Sequence, residues 1–198
     1  MGANVTKHRS ADKLVHAIAF GATAERVRAI IAECPVDVNA HDRRYRYTPL
    51  TAACRRYDHD PAAVRRTEAV VAELVSAGAK PDVVDGMGDV PLNLAAYDDR
   101  VSLVRLLLAR GANPNTRSAN GYTALHYAAA SASLSVRDLL LAKADPRLRA
   151  NDGRTPRRVA ERVQEGAHSL MLRDANLVVV MLRNATRGKR EKNTVFIP

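Results

Sequence analysis

Nucleophilic and metal chemistry require His, Cys and carboxylate side chains that converge, and this chain spaces them without any such pattern. Its histidines, His8, His16, His41, His59, His126 and His168, form no H-E-x-x-H, no H-x-E followed by P-C-x-x-C, and no pair at helical spacing. Cys34 and Cys54 make no C-x-x-C and have no neighbouring His, so neither a disulfide framework nor a zinc site is expected. Asp58, His59 and Asp60 are adjacent, but neighbours on one short segment rarely converge on a single ion. No G-x-x-x-x-G-K-[ST] phosphate cradle occurs, and Gly86-Met87-Gly88 lacks the third glycine and flanking strand of a dinucleotide site. That run reads instead as a tight hairpin tip. The expectation is a chain without catalysis, cofactor or metal.

The side chains that remain to do chemistry are arginine and tyrosine. The formal charge is +10, and the cations are 25 Arg against 6 Lys. A guanidinium offers planar, bidentate contact to carboxylate or phosphate, and a net positive field favours acidic partners and speeds their association. The charge alone does not choose among acidic protein, nucleic acid and anionic lipid, and it also fits the composition that a GC-rich coding sequence produces.

These side chains need a scaffold. With 198 residues the chain suits one domain or one repeat array. Apolar residues make up 46%, yet Trp is absent and aromatics are 4%, so Ala, Leu, Val and Ile must build the core, as in closely packed helices. Met1 to Ser10 is polar and no stretch approaches a membrane span, which predicts a soluble protein in a reducing cytosol.

A repeat supplies the scaffold. Thr48-Pro49-Leu50-Thr51-Ala52-Ala53, Val90-Pro91-Leu92-Asn93-Leu94-Ala95, Thr123-Ala124-Leu125-His126-Tyr127-Ala128 and Thr155-Pro156-Arg157-Arg158-Val159-Ala160 are versions of one pattern, 42, 33 and 32 positions apart. A second marker keeps step with it: Pro35-Val36-Asp37-Val38-Asn39, Gly78-Ala79-Lys80-Pro81-Asp82, Gly111-Ala112-Asn113-Pro114-Asn115 and Lys143-Ala144-Asp145-Pro146-Arg147. Between the two lie helical apolar runs: Val70, Val71, Leu74 and Val75; Leu103, Val104, Leu106, Leu107 and Leu108; Val136, Leu139, Leu140 and Leu141. Each unit therefore reads as turn, short helix, longer helix, loop. Thr can cap the first helix, and Pro at its first position lacks an N–H that would go unbonded. Gly78 and Gly111 close the second helix, where a left-handed residue is wanted.

The period and the Thr-Pro-Leu-His-x-Ala signature resemble the ankyrin-repeat family, over roughly Asp12 to Asn184. The resemblance implies an all-α solenoid of about five helix-turn-helix units, at about 11–39, 40–82, 83–115, 116–147 and 148–184. Residues 1–10 are then an N-terminal tail and 185–198 a basic C-terminal tail, with Arg187-Gly188-Lys189-Arg190-Glu191-Lys192 solvated. The first and last units are irregular caps. Arg157 and Arg158 replace the usual Leu and His to make a wettable outer helix, and a helix of about Leu170 to Leu182 seals the end. An insertion of roughly nine residues, Arg56 to Glu68, separates the helices of the second unit, as a specificity loop or a longer solvated connection. Pro35 and Lys143 stand where the family has its helix-ending glycine, so those loops are expected to depart from the family form. So is the first hairpin, which has one extra residue and puts Tyr45 and Arg46 where the others have Gly88, Gly121 and Gly153. His126, at the signature His, is expected to tie repeats together, and Cys54 to be a small buried hydrophobe.

In the family the hairpin tips and the exposed face of each first helix line a binding groove. Carried across, the partner-binding positions are Arg43, Arg44, Arg46 and Tyr47, with Arg55 and Arg56 behind them on the helix. Met87, Asp89, Tyr97 and Asp98 follow, then Arg117, Asn120, Tyr122 and Tyr127, and finally Asn151, Arg154 and Arg162. Four of the six tyrosines fall in this set beside several arginines, the residue types that most often dominate interface energetics. The resemblance thus implies a monomeric, cytoplasmic protein-interaction module for a partner with an acidic patch, in an adaptor role or as an effector delivered into a host cell. The alternative is nucleic-acid binding through Arg43, Arg44, Arg46, Arg55, Arg56 and the basic tail, with tyrosines stacking on bases. Asp89 and Asp98 would oppose a continuous phosphate track.

Overall fold

A computed structural model of the chain describes residues 2–33, 36–55, 60–166 and 172–191. Among these the regular structure is wholly helical: α1 (Gly2–Ala19), α2 (Ala24–Glu33), α3 (Pro49–Cys54), α4 (Pro61–Ser76), α5 (Pro91–Tyr97), α6 (Val101–Ala109), α7 (Ala124–Ala130), α8 (Val136–Leu141), α9 (Pro156–Gly166) and α10 (Leu172–Glu191). They belong to two compact units, Met1–Leu94 with Leu106–Asn113, and Ala95–Arg105 with Pro114–Pro198. In the first unit Leu14, Ile18, Ile30, Leu50, Leu74, Leu92 and Leu107 are fully buried. In the second Leu103, Leu125, Leu139 and Leu182 are. Burying a leucine contributes about 1.5–3 kcal/mol, which is how a core with so few aromatics holds.

The short helices begin as their sequences require. Thr48 Oγ1 accepts from the Thr51 N–H at 3.1 Å, Thr51 Oγ1 accepts from the Thr48 N–H at 3.0 Å, and Pro49 fills the first helical position. At α7 the capping partner is His126, whose ring is completely buried. Its Nδ1 accepts from the Thr123 N–H at 3.2 Å, and its Nε2 lies 3.1 Å from the Arg154 carbonyl. An N–H only donates and a carbonyl only accepts, so the neutral ring carries its proton on Nε2. His126 thereby joins its own repeat to the next. Cys54 is a buried thiol within α3, as expected.

The insertion resolves into helix. Asp60 caps α4 by accepting from the Ala63 N–H at 3.3 Å, Pro61 follows, and α4 runs for 16 residues, against 9 in α6. Ala63, Thr67, Val70, Val71 and Leu74 are buried at successive helical spacings, so the inserted residues lengthen an existing apolar stripe. Neither a specificity loop nor a solvated connection describes residues 61–68. Arg56, Tyr57, Asp58 and His59 lie outside the described residues, as do Cys34, Pro35, His168 and residues 192–198.

The loop after α8 also departs from expectation, because Lys143 adopts the glycine conformation. Its φ is +65°, beside +94° at Gly78 and +89° at Gly111. The bonding matches too: Lys143 N–H to Leu140 and Ala144 N–H to Leu139 at 3.1 and 2.9 Å, against 3.1 and 3.0 Å for the Gly111 and Ala112 counterparts. The six-residue α8 needs those carbonyls satisfied, and that requirement outweighs the strain. Lys143→Gly should therefore stabilise the fold by about 0.5–1 kcal/mol, the left-handed penalty less the entropy a glycine adds to the unfolded chain. Chemical denaturation would reveal it, and an unchanged or lower midpoint would show the residue unstrained.

Helix α1 already starts at Gly2, so the segment expected as a tail is continuous with it, and α10 extends the C-terminal helix to Glu191 through part of the expected second tail. Ala175, Val178, Val179 and Leu182 turn one face of α10 inward and seal the last helix pair. Leu177 and Val180, from the same run, face outward. Arg158 is exposed as a wettable outer helix requires, while Arg157 is half-buried with its Nε 2.8 Å from Glu161 Oε1.

Candidate protein-interaction surface

The hairpins are organised by carboxylates. Asp42 is buried and accepts from the N–H groups of Arg44, Tyr45 and Tyr47 at 3.0, 2.8 and 2.9 Å. Asp85, also buried, accepts from Met87 and Asp89, both at 2.9 Å. These are Asx-turns, which let a short loop reverse without leaving its donors unpaired. Tyr47 closes the first hairpin by accepting from the Asp42 N–H at 2.9 Å, one residue later than Asp89 does for Asp85. Arg46 takes up the extra residue at φ +60°. The tip is wider, as the sequence predicts, yet keeps one left-handed residue in the glycine position.

In the first unit this leaves Arg43, Arg44 and Arg46 exposed on one turn, making no ion pair among the described residues. Arg43 N–H is held by Asp12 of α1 at 2.8 Å, and the Arg44 guanidinium lies 5.2 Å from the Tyr45 ring centre. Tyr45 and Tyr47 stack at 5.7 Å. Arg46 also accepts from the Gly86 N–H through its carbonyl at 2.8 Å, locking one tip to the next. Met87, at that next tip, is 59% exposed.

Arg55 behaves differently from its neighbours. It caps the end of α3, pairs with Asp89, lies 3.9 Å from the buried Asp85 carboxylate, and places its guanidinium 4.5 Å from the Tyr47 ring centre. Its charge is committed inside the unit, and so is that of Asp89. Arg56 falls outside the described residues.

The second unit presents an aromatic shelf instead. Tyr97 meets Tyr127 edge-on at 6.2 Å, Tyr127 meets Tyr122 edge-on at 5.9 Å, and Tyr122 stacks on His126 at 5.1 Å. Edge-to-face geometry is the favoured one for such rings. The Tyr122 hydroxyl donates to Asp152 at 2.7 Å. That bond, with partial burial, holds the phenol above its ordinary pKa, and the same bond holds Asp152 below the usual carboxylate range. Arg154 Nε is 3.5 Å from Asp152, and Arg117 donates to the Arg149 carbonyl at 2.6 Å. Asn120 and Asn151 clasp neighbouring hairpins: the Asn151 N–H donates to the Asn120 carbonyl at 3.1 Å, and its side-chain amide to the Ala119 carbonyl at 3.0 Å. Asp98 is half-buried and Arg162 exposed.

Sequence reasoning missed Asp42, Asp85 and Asp152, although an aspartate opening the first two turns was a readable signal; Asp152 lies inside the last turn, which opens on Ala150. It also passed over the last residue of the second marker. Asn39 accepts from the Lys80 N–H at 2.8 Å and donates to the Gly78 carbonyl at 3.1 Å. Asp82 accepts from the Asn113 N–H at 2.9 Å, and Asn115 from the Asp145 N–H at 2.7 Å. This position clasps the next loop.

Residues 61–152 match the family model for ankyrin repeats, in three copies. They are ankyrin repeats. No curated protein matches the chain. Ankyrin repeats generally mediate protein–protein interaction, typically without catalysis. Among the described residues no helix is long and apolar enough to cross a membrane, and no group of three or more His, Cys, Asp or Glu could hold a metal ion.

Proposed function

We propose that the chain is a non-catalytic, cytoplasmic adaptor that binds an acidic surface or acidic peptide of a partner protein. The observation that carries this reading is the trio Arg43, Arg44 and Arg46: exposed, on a single rigid turn, and without a carboxylate partner among the described residues. Unpaired guanidiniums on a pre-formed backbone favour carboxylates while ordering little on binding. In the second unit, Tyr97, Tyr122 and Tyr127 offer a contact area of their own whose rings are already held in place.

Affinity capture followed by mass spectrometry identifies the partner. The Arg43→Glu/Arg44→Glu/Arg46→Glu variant should keep its helical circular dichroism and lose affinity for that partner by about tenfold or more near 0.15 M salt. Unchanged affinity would remove the hairpin from the interface. The competing reading is a nucleic-acid interface on the same arginines. It requires steeply salt-dependent binding of unrelated oligonucleotides, and absence of binding at low salt eliminates it.

A further inference from the structure

Away from the hairpin tips, the second unit holds a cleft of about 600 Å³ between the last repeat and α10. Its walls carry four guanidiniums, Arg147, Arg149, Arg157 and Arg187, with Thr155 and Thr186 between them. Among the described residues only Arg157 has a carboxylate, Glu161 at 2.8 Å, which Arg158 shares at 3.6 Å. Arg147 donates to the Thr186 carbonyl at 3.1 Å and Arg149 to the Gly153 carbonyl at 2.8 Å. Those bonds orient the two planes and neutralise nothing. Arg187 is exposed on α10.

Arg147 occupies the clasp position held by Asn39, Asp82 and Asn115 in the earlier units. Where those residues grip the following loop, Arg147 reaches α10, 39 positions further on. The end of the array therefore substitutes a long cation for a short polar clasp and meets it with another cation, Arg187. Like charges gathered in a shared cleft repel unless an anion joins them.

We propose that this cleft binds a compact organic polyphosphate, either free or as a lipid headgroup. Guanidiniums match phosphate bidentately, and three of them without a carboxylate suit a ligand with more than one phosphate. The volume lies within the usual range for small-ligand sites. Among the described residues no aromatic side chain lines the cleft, which offers no stacking surface there for a nucleobase. Thr186 donates its hydroxyl to the Arg183 carbonyl at 2.8 Å, whereas Thr155 accepts from the Arg158 N–H at 3.4 Å and keeps its own proton to give.

Titration calorimetry of the full chain with inositol hexakisphosphate tests the assignment. The expected result is saturable binding of one ligand per chain that weakens as salt rises. Arg149→Gln/Arg187→Gln should lose about tenfold or more in affinity, while Arg43→Gln/Arg44→Gln, the same charge removed elsewhere, should stay within about twofold. Should the double variant fail to fold, Arg187→Gln alone, at a residue outside the core, should still weaken binding by about threefold. Equal losses in both double variants, or no binding at low salt, overturn the proposal. ATP binding as tightly as inositol hexakisphosphate overturns the ligand class. Vesicles of phosphatidylcholine with and without phosphatidylinositol bisphosphate separate the sources. Sedimentation with the bisphosphate vesicles, reversed by inositol hexakisphosphate, assigns a headgroup, and binding of the soluble compound alone assigns a free ligand.

Discussion

His126→Ala should remove about 3–5 kcal/mol of folding free energy: an unpaired buried donor and an unpaired buried acceptor at about 1–3 kcal/mol each, plus the cavity left by the ring. The Thr123 N–H and the Arg154 carbonyl are the groups left without partners. Urea unfolding of the two chains gives the difference directly, and a loss below about 1 kcal/mol would mean that water replaces the ring at both ends. The same geometry fixes a pH dependence. Burial is the main force lowering the His126 pKa; the Arg154 and Leu148 carbonyls and the Asp152 charge oppose it, and Arg117 adds to it. A proton on Nδ1 would also face the Thr123 N–H, donor against donor. Because the folded pKa lies below the unfolded value of about 6.5, the unfolded chain binds the proton first as pH falls. The stabilisation is complete above that value and declines as the pH drops from it through the folded pKa. The wild type should therefore lose stability over that window, and the difference between wild type and His126→Ala should shrink with it. A difference independent of pH between about 7 and 5 would contradict the lowered pKa of the buried ring.

Gly121→Ala is the second large effect, expected to destabilise by about 2–4 kcal/mol, from a left-handed alanine and from displacement of packed backbone. Gly121 has φ +75°, and an added Cβ would fall 2.8 Å from the Asn151 backbone nitrogen. That nitrogen is the one that donates to the Asn120 carbonyl, so the methyl group would force apart two hairpins that are hydrogen-bonded together. Gly153→Ala provides the control. Its φ is +77° but nothing lies within 4 Å of the added Cβ, so only the conformational penalty of about 1 kcal/mol should remain. Comparable losses in the two variants would show that the contact between hairpins contributes little.

Both predictions concern contacts between residues about one repeat apart, and it is at that distance that the sequence became hard to read. The signature His was legible as a tie between repeats, because the family resemblance gives that position its role. Its partner on the far side was not, since any carbonyl can accept. The free face of the first hairpin was legible in part. Arg43, Arg44 and Arg46 are exposed as the resemblance implied, while Arg55, alike in type and only a few positions on, is held by Asp89 and Asp85. Nothing local distinguishes a guanidinium facing solvent from one facing a carboxylate 34 positions away. The insertion failed for a different reason: its capping aspartate, proline and apolar spacing were all visible, but family length suggested a loop where helix propensity made two further turns.

By itself the sequence determined the repeat period, the helix starts at Thr48-Pro49 and Thr155-Pro156, and the aliphatic character of the core, because capping and periodicity act within a turn or two of chain. Only the tertiary structure decided that Lys143 and Arg46 adopt left-handed conformations, that Tyr97, Tyr122 and Tyr127 form one shelf, and that Arg147 and Arg187 share a cleft. Each of these outcomes weighs a local cost against hydrogen bonds, packing or charge brought in by a distant segment. That balance comes into being only when the helices have packed.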